Sequence, residues 1–254
     1  MDAVTTYCVQ LATAPIHKEP SYNSECTSEC LYGELLTGTS ETTEWLQVRC
    51  LHDDYPGFVH QSALRVVNTL DLPATHWIQA RSTPLFDNPS IKSRVMARLP
   101  FQSQLTLEPE LQGSFARTTS GLYVWHAHTL PLGQSHELEP IALAQAHFLG
   151  APYLWGGRST AGLDCSGLVQ ALARARGLAI PRDSHQQEAF ITEQINAPQA
   201  RVADLVYWPG HVGMLVSKTH LLHATAHYLS CVTERLSDVS QRAGPISSIR
   251  RLFC

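Results

Sequence analysis

The chain has 254 residues, enough for two or three small domains. It is 44% hydrophobic and 16% charged, which excludes a disordered chain. Its net charge is −4 with no run of like charge, so nothing points to nucleic acid or to an anionic membrane surface.

The start, from Met1 to Cys8, has neither a basic leader nor a sustained apolar core, and no signal peptide is read there. No stretch approaches the roughly eighteen apolar residues of a membrane-spanning helix. The seven cysteines are therefore expected to be reduced. Cys8, Cys26, Cys30, Cys50 and Cys231 read as packing residues, and Cys254 as exposed. Cys26, Cys30, Cys50 and His52 lack the paired spacing of a zinc site, so no metal is expected.

Residues 1–70 read as a small all-β domain. Its strands run from Tyr7 to Leu11, Glu34 to Gly38, Glu44 to Cys50 and Gly57 to His60. Turn clusters at Glu19-Pro20-Ser21 and Asp53-Asp54-Tyr55-Pro56-Gly57 separate them. Residues 71–131 repeat the outline, with strands expected at Thr75 to Gln79, Arg94 to Phe101, Gln104 to Leu107, Phe115 to Thr118 and Gly121 to His126. The ends of the two segments match best: Phe58-Val59-His60 against Tyr123-Val124-Trp125-His126. Two copies of one module follow.

Pro131 to His136 is a short linker. Glu137-Leu138-Glu139-Pro140 then opens a helix with Ile141, Leu143, Ala144, Phe148 and Leu149 on its apolar face, closed by Gly150. Irregular backbone follows at Gly156, Gly157 and Gly162, then Asp164-Cys165-Ser166. From Leu168 the apolar residues recur at helical spacing. Cys165 thus falls in the first turn of a helix, where unpaired amides and the helix dipole favour a thiolate nucleophile. Asp164 beside it opposes ionisation if it points inward, so it is expected to face the cleft and hold a cation. Ser184 and Gln187 form a capping box and start a further helix.

Val206 to Val216 is apolar and β-rich, Ser217-Lys218-Thr219 is a turn, and His220 to Thr225 returns. A hairpin centred on Ser217 sets His211 directly opposite His223, with Cβ atoms about 4.5–5.5 Å apart on one face. That suits an imidazole base oriented by a second imidazole, with His220 on the other face. Beyond it the chain reads as mostly β, through Cys231 to Thr233 and a closing strand from Ile246 to Phe253. A helical half followed by an antiparallel half is α+β.

These pieces occur together as Tyr153-x-Trp155-Gly156-Gly157, Asp164-Cys165-Ser166-Gly167, Pro181-Arg182-x-Ser184, Ala203-Asp204-Leu205-Val206, His211-Val212-Gly213 and Leu222-His223-Ala224. As a set, in this order, they resemble the NlpC family of papain-like cell-wall cysteine peptidases, over residues 137–254. Ala203 departs from the family's usual glycine. The two N-terminal modules resemble bacterial SH3-like domains. The expected fold is thus an α+β papain-like catalytic domain preceded by two small all-β SH3-like barrels.

The resemblance implies roles. Cys165 attacks an amide carbonyl, His211 moves the proton, His223 orients His211, and the Tyr153 hydroxyl joins the Cys165 amide in stabilising the oxyanion. Asp164 meets a free α-amine, and Ser166 and Ser184 meet a carboxylate. Tyr55, with Asp54 as a second amine ligand, is the candidate tyrosine from the first SH3-like domain. The implied substrate is a murein peptide such as L-Ala-γ-D-Glu-diaminopimelate, cut between γ-D-glutamate and the diamino acid. No metal or organic cofactor is needed. With no signal peptide read, a cytoplasmic recycling enzyme is expected. An exported hydrolase of intact wall and a non-catalytic wall-binding protein are the competing readings.

Overall fold

The computed structural model describes residues 5–40, 42–68 and 71–253. Cys254 lies outside the described residues. The chain divides into two compact units, Met1–Gln134 and Ser135–Cys254.

The first unit is all-β. Its first lobe comprises β1 (Thr5–Val9), β2 (Thr13–His17), β3 (Cys26–Leu31), β4 (Leu35–Ser40), β5 (Trp45–Cys50), β6 (Pro56–His60) and β7 (Leu64–Val66). They form one sheet in the order β3-β2-β6-β5-β4-β1-β7. Period-two alternation explains β5: Trp45, Leu46, Val48 and Cys50 are buried, while Gln47 and Arg49 are exposed. Leu46, Val48 and Cys50 meet Ile16, Leu36 and Val59 in one core, while Trp45 packs on His17, Tyr22 and His60.

The second lobe comprises β8 (His76–Ile78), β9 (Ser82–Phe86), β10 (Val95–Pro100), β11 (Gln104–Leu105), β12 (Leu107–Gln112), β13 (Phe115–Thr118), β14 (Tyr123–Trp125) and β15 (Thr129–Pro131). Its sheets run β10-β9-β14-β13-β12 and β11-β8-β15. That is the pairing of the first lobe, with the counterpart of β4 broken at Thr106 into β11 and β12. The lobes adjoin: Gln104 donates its amide to the Tyr32 carbonyl at 2.7 Å, and Tyr32 packs on the core of the second lobe.

The strands β2, β3 and β9 lie outside the sequence reading. Pro15 and Pro84 argue against β2 and β9, because proline cannot donate to a ladder. The structure accommodates both at sheet positions with one neighbour. β2 meets β6 only through His17 and Phe58, and β9 meets β14 only through Phe86 and Tyr123. Of the cysteines, Cys8, Cys30, Cys50 and Cys231 are buried. Cys26 is only half-buried and its thiol donates to the Ser28 carbonyl at 3.3 Å.

The second unit is α+β. α1 (Pro140–His147), α2 (Cys165–Ala175) and α3 (Ser184–Phe190) precede β18 (Leu205–Trp208), β19 (His211–Leu215), β20 (His220–Thr225), β21 (Ser230–Arg235), α4 (Leu236–Ala243) and β22 (Ser248–Arg250). Two short strands, β16 (Arg158–Ser159) and β17 (Gly162–Leu163), form a hairpin before α2. The main sheet runs β21-β20-β19-β18-β22. α2 packs on β19 and β20, burying Leu168 and Leu172, each worth about 1.5–3 kcal/mol.

Three expectations are corrected here. Pro209 and Gly210 are a turn, so Val206 to Val216 is a hairpin of β18 and β19, with Trp208 opposite His211. α4 replaces part of the expected β region; Leu236 and Val239 lie on the side that packs into the core. The closing strand is only Ser248–Arg250. Among the described residues no helix is long and apolar enough to cross a membrane.

Candidate active site

Asp164 caps α2. Its Oδ1 accepts from the Gly167 amide at 2.7 Å and the Ser166 hydroxyl at 3.2 Å. Its Oδ2 accepts from the Gly156 amide at 2.9 Å. Arg182 completes the set: Nη1 reaches Oδ1 at 2.9 Å and Nη2 reaches Oδ2 at 2.6 Å. Arg182 also donates to the Ser166 hydroxyl at 2.8 Å and the Gly157 carbonyl at 3.2 Å. The expectation that Asp164 faces a cleft is therefore corrected. The carboxylate is 6% exposed and turns inward, because it closes the helix start and balances a guanidinium that is 1% exposed. Gly167 makes the closure possible: a Cβ there would run into the Gly157 carbonyl.

Cys165 is the first residue of α2, as expected. Burial and the neighbouring Asp164 push its thiol up to about 11, against the pull of the Val212 amide, Arg182 and the Ser166 amide. The Val212 amide places the sulfur against β19, beside His211. Burial, with His223 second, pushes His211 down to about 4. Thiol and imidazole are thus both neutral near pH 7. Burial thus works against the thiolate that the helix start favours, and attack couples formation of the C–S bond to proton transfer to His211.

The two histidines meet, but by a different register. Met214 pairs with Leu222 and Leu215 with Leu221, so the hairpin centres on Lys218 rather than Ser217. His223 then lies opposite Gly213, and His211 reaches it diagonally across the same face. Nε2 of His211 lies 2.7 Å from Nδ1 of His223. Gly213 leaves the necessary space: a Cβ there would collide with Leu221 Cδ1 and stand 3.2 Å from His223 Cβ. Gly213→Ala is therefore expected to cost about 1–3 kcal/mol through overpacking and to lower kcat; a thermal melt beside steady-state kinetics checks both. His220 bonds Thr219 instead, at 3.0 Å, outside the site.

Tyr153 is half-buried, and its backbone pairs with Leu163. Burial, then Cys165 and Asp164, raise its hydroxyl above the ordinary tyrosine range, so it remains a neutral donor near the sulfur. Ser184 is the first residue of α3, but the cap is Asp183 and no capping box forms. Gln187 instead donates to the carbonyls of Ser166 and Pro181, both at 3.0 Å, tying α3 to the nucleophile's helix.

Tyr55 and Asp54 belong to the first unit. Tyr55 is half-buried against the first-lobe core and its hydroxyl points to the Thr27 carbonyl at 3.5 Å. Asp54, at φ 60°, pairs with Arg49 at 3.0 Å on the surface. Nearby, Cys50, His52 and Asp53 turn donor atoms within 4.8 Å of one another. Cys30 Sγ lies 3.1 Å from Cys50 Sγ. The role of Arg182 as the counter-charge of Asp164 was not read from the sequence, where it was only part of a motif. The partner of His223, Glu234 at 3.2 Å, was missed altogether.

Residues 150–243 match the NlpC/P60 family, and residues 16–64 match the bacterial dipeptidyl-peptidase Sh3 domain. The chain carries an NlpC/P60 hydrolase domain. Similar proteins align with it over most of its length. Dipeptidyl-peptidase 6 of Lysinibacillus sphaericus is 26% identical over 237 residues, covering 84% of either chain. The γ-D-glutamyl-L-lysine dipeptidyl-peptidase of Bacillus subtilis is 28% identical over 215 residues, 78% of this chain and 71% of that one. The crystal structure of an NlpC/P60 family protein from Bacillus cereus superposes with a TM-score of 0.83 at 17% identity, covering 97% of this chain and 99% of the other. That likeness concerns the fold. The NlpC/P60 match covers the helix that bears Cys165, both histidines and α4.

Proposed function

We propose that this chain hydrolyses the bond between γ-D-glutamate and a diamino acid, diaminopimelate or lysine, in peptidoglycan stem peptides that begin with free L-alanine. The observation that carries the reaction type is the His211–His223 contact of 2.7 Å, on the strands against which the helix bearing Cys165 is packed. Relatives that cover most of this chain and bear γ-D-glutamyl-L-lysine dipeptidyl-peptidase names support the substrate class. Cys165 Sγ attacks the amide carbonyl while His211 takes its proton, and His211 later gives that proton to the leaving amine. Water then releases the acyl group. The Cys165 amide and the Tyr153 hydroxyl steady the oxyanion.

Ser184 takes a carboxylate. Asp164 and Ser166, both engaged by Arg182, hold the start of the helix that bears Cys165. Such substrates are soluble turnover fragments, which fits murein peptide recycling in the cytoplasm.

The test compares L-Ala-γ-D-Glu-meso-diaminopimelate with its N-acetylated form. Cleavage of the free-amine peptide alone supports the recycling reading. Equal cleavage of both removes the amine requirement and points to the intact wall. Cleavage of neither sinks the substrate assignment.

A further inference from the structure

Behind His223 stands a second charged pair that no catalytic role has yet absorbed. Glu234, on β21, turns Oε2 toward His223 Nε2 at 3.2 Å. Arg242, on α4, grips the same carboxylate with two bonds, Nη1 to Oε1 at 2.7 Å and Nη2 to Oε2 at 2.8 Å. The Tyr228 hydroxyl donates to Oε1 at 3.3 Å. Glu234 is 8% exposed and His223 is 0% exposed. Arg242 first, and then its charge with that of His223, hold Glu234 below the ordinary carboxylate range.

An ionised carboxylate only accepts hydrogen bonds, so the hydrogen between Glu234 and His223 sits on His223 Nε2. A neutral His223 then keeps its lone pair on Nδ1. That atom faces His211 Nε2 at 2.7 Å, so His211 Nε2 donates. The remaining ring nitrogen of His211, Nδ1, is left with a lone pair.

We propose that Glu234, held in place by Arg242, is a positioning residue that sets both imidazoles in the tautomers leaving His211 Nδ1 free to take the Cys165 proton. The inference rests on the thiol-hydrolase reading of the site. In the step itself the S–H bond breaks, an Nδ1–H bond forms, and the sulfur pair attacks the carbonyl carbon. The proton later passes to the leaving nitrogen. Glu234 touches no substrate and takes no proton.

Charge makes the proposal testable. Glu234 and Arg242 are the charged groups that act on both imidazoles; Tyr228 joins them through Glu234, Cys165 lies at the amide of Val212 next to His211 in β19, and Trp208 is tilted against His211 at 5.9 Å between ring centroids. Glu234 pulls both imidazoles upward and Arg242 pulls them downward. Loss of either charge therefore moves the dyad in opposite directions.

The experiment measures the pH dependence of Cys165 alkylation by iodoacetamide beside kcat/KM on the free-amine peptide, in the full chain. The wild-type acid limb is expected near pH 4, the value to which burial pushes His211. Glu234→Gln is expected to lower kcat about ten- to a hundredfold with KM little changed, since a charge-assisted bond is lost. Its acid limb moves to lower pH. Arg242→Gln leaves the carboxylate unmatched, and its acid limb moves to higher pH. Opposite shifts support the proposal. Shifts of one sign in both variants, or a limb that stays put while only the melting temperature falls, overturn it. If Glu234→Gln does not fold, Arg242→Gln decides alone: an upward shift supports, and no shift or a downward one overturns. Alkylation needs no peptide. A normal alkylation profile with no peptide cleavage would sink the substrate assignment and leave this inference standing.

Discussion

Cys165→Ala is expected to reduce peptide hydrolysis on the order of 10⁴-fold or more, while the melting temperature stays close to wild type. The size follows from the chemistry. Without the sulfur no acyl-enzyme forms, and neither His211 nor the oxyanion donors have a nucleophile to assist. The stability expectation follows from packing: the thiol is small, and alanine keeps the helix start that Asp164 caps. His211→Ala should cause a loss of similar order, and the double variant should be little worse than either alone, because the two act as one unit. Hydrolysis that survives Cys165→Ala would remove the thiol from the reaction. A large fall in melting temperature would instead reveal a structural role for the residue.

The nucleophile was legible because two local signals coincide: irregular glycine backbone and then an apolar helical period, with Cys165 at the junction. The histidine pair was legible for a cruder reason. Side-chain parity on a strand survives a register error of two residues, so His211 and His223 share a face whether the turn centres on Ser217 or Lys218. Parity also hid the role of Gly213, which is visible only once the true register brings it opposite His223. The tandem repeat was read from its ends, but the most telling match was missed. Thr13-Ala14-Pro15-Ile16 and Ser82-Thr83-Pro84-Leu85 are equivalent strands, each disguised by a proline that the sheet tolerates where only one neighbour pairs. Pro209-Gly210 was swallowed by the apolar run around it. Glu234 and Arg242 gave no signal because their partnership joins a strand to a helix that was not expected.

Asp164 is where local reasoning went furthest astray, and it carries the second large effect. A carboxylate next to a nucleophilic thiol looks misplaced until Arg182 is seen beneath it, two bonds of 2.9 and 2.6 Å away. The guanidinium lets the carboxylate cap α2 and limits how far its charge disfavours the thiolate. Arg182→Met is therefore expected to destabilise the second unit by about 3–5 kcal/mol, since it leaves a buried carboxylate without its counter-charge. For a chain of this size that is a fall in melting temperature of roughly 6–20 °C. The same substitution removes a charge that lowers the Cys165 pKa, so the thiolate should form at still higher pH. Asp164→Asn acts in the opposite sense on the sulfur: one charge that raises the thiol is gone, and the alkaline rise in alkylation, where the thiol itself ionises, should come at lower pH. It also strands the buried Arg182, so stability falls here too. Thermal melts and the pH dependence of Cys165 alkylation separate the two effects. Melting temperatures should fall in both variants, while the alkylation profiles should part in opposite directions. Profiles that shift together would mean that Asp164 and Arg182 act on Cys165 only by holding the helix start in shape.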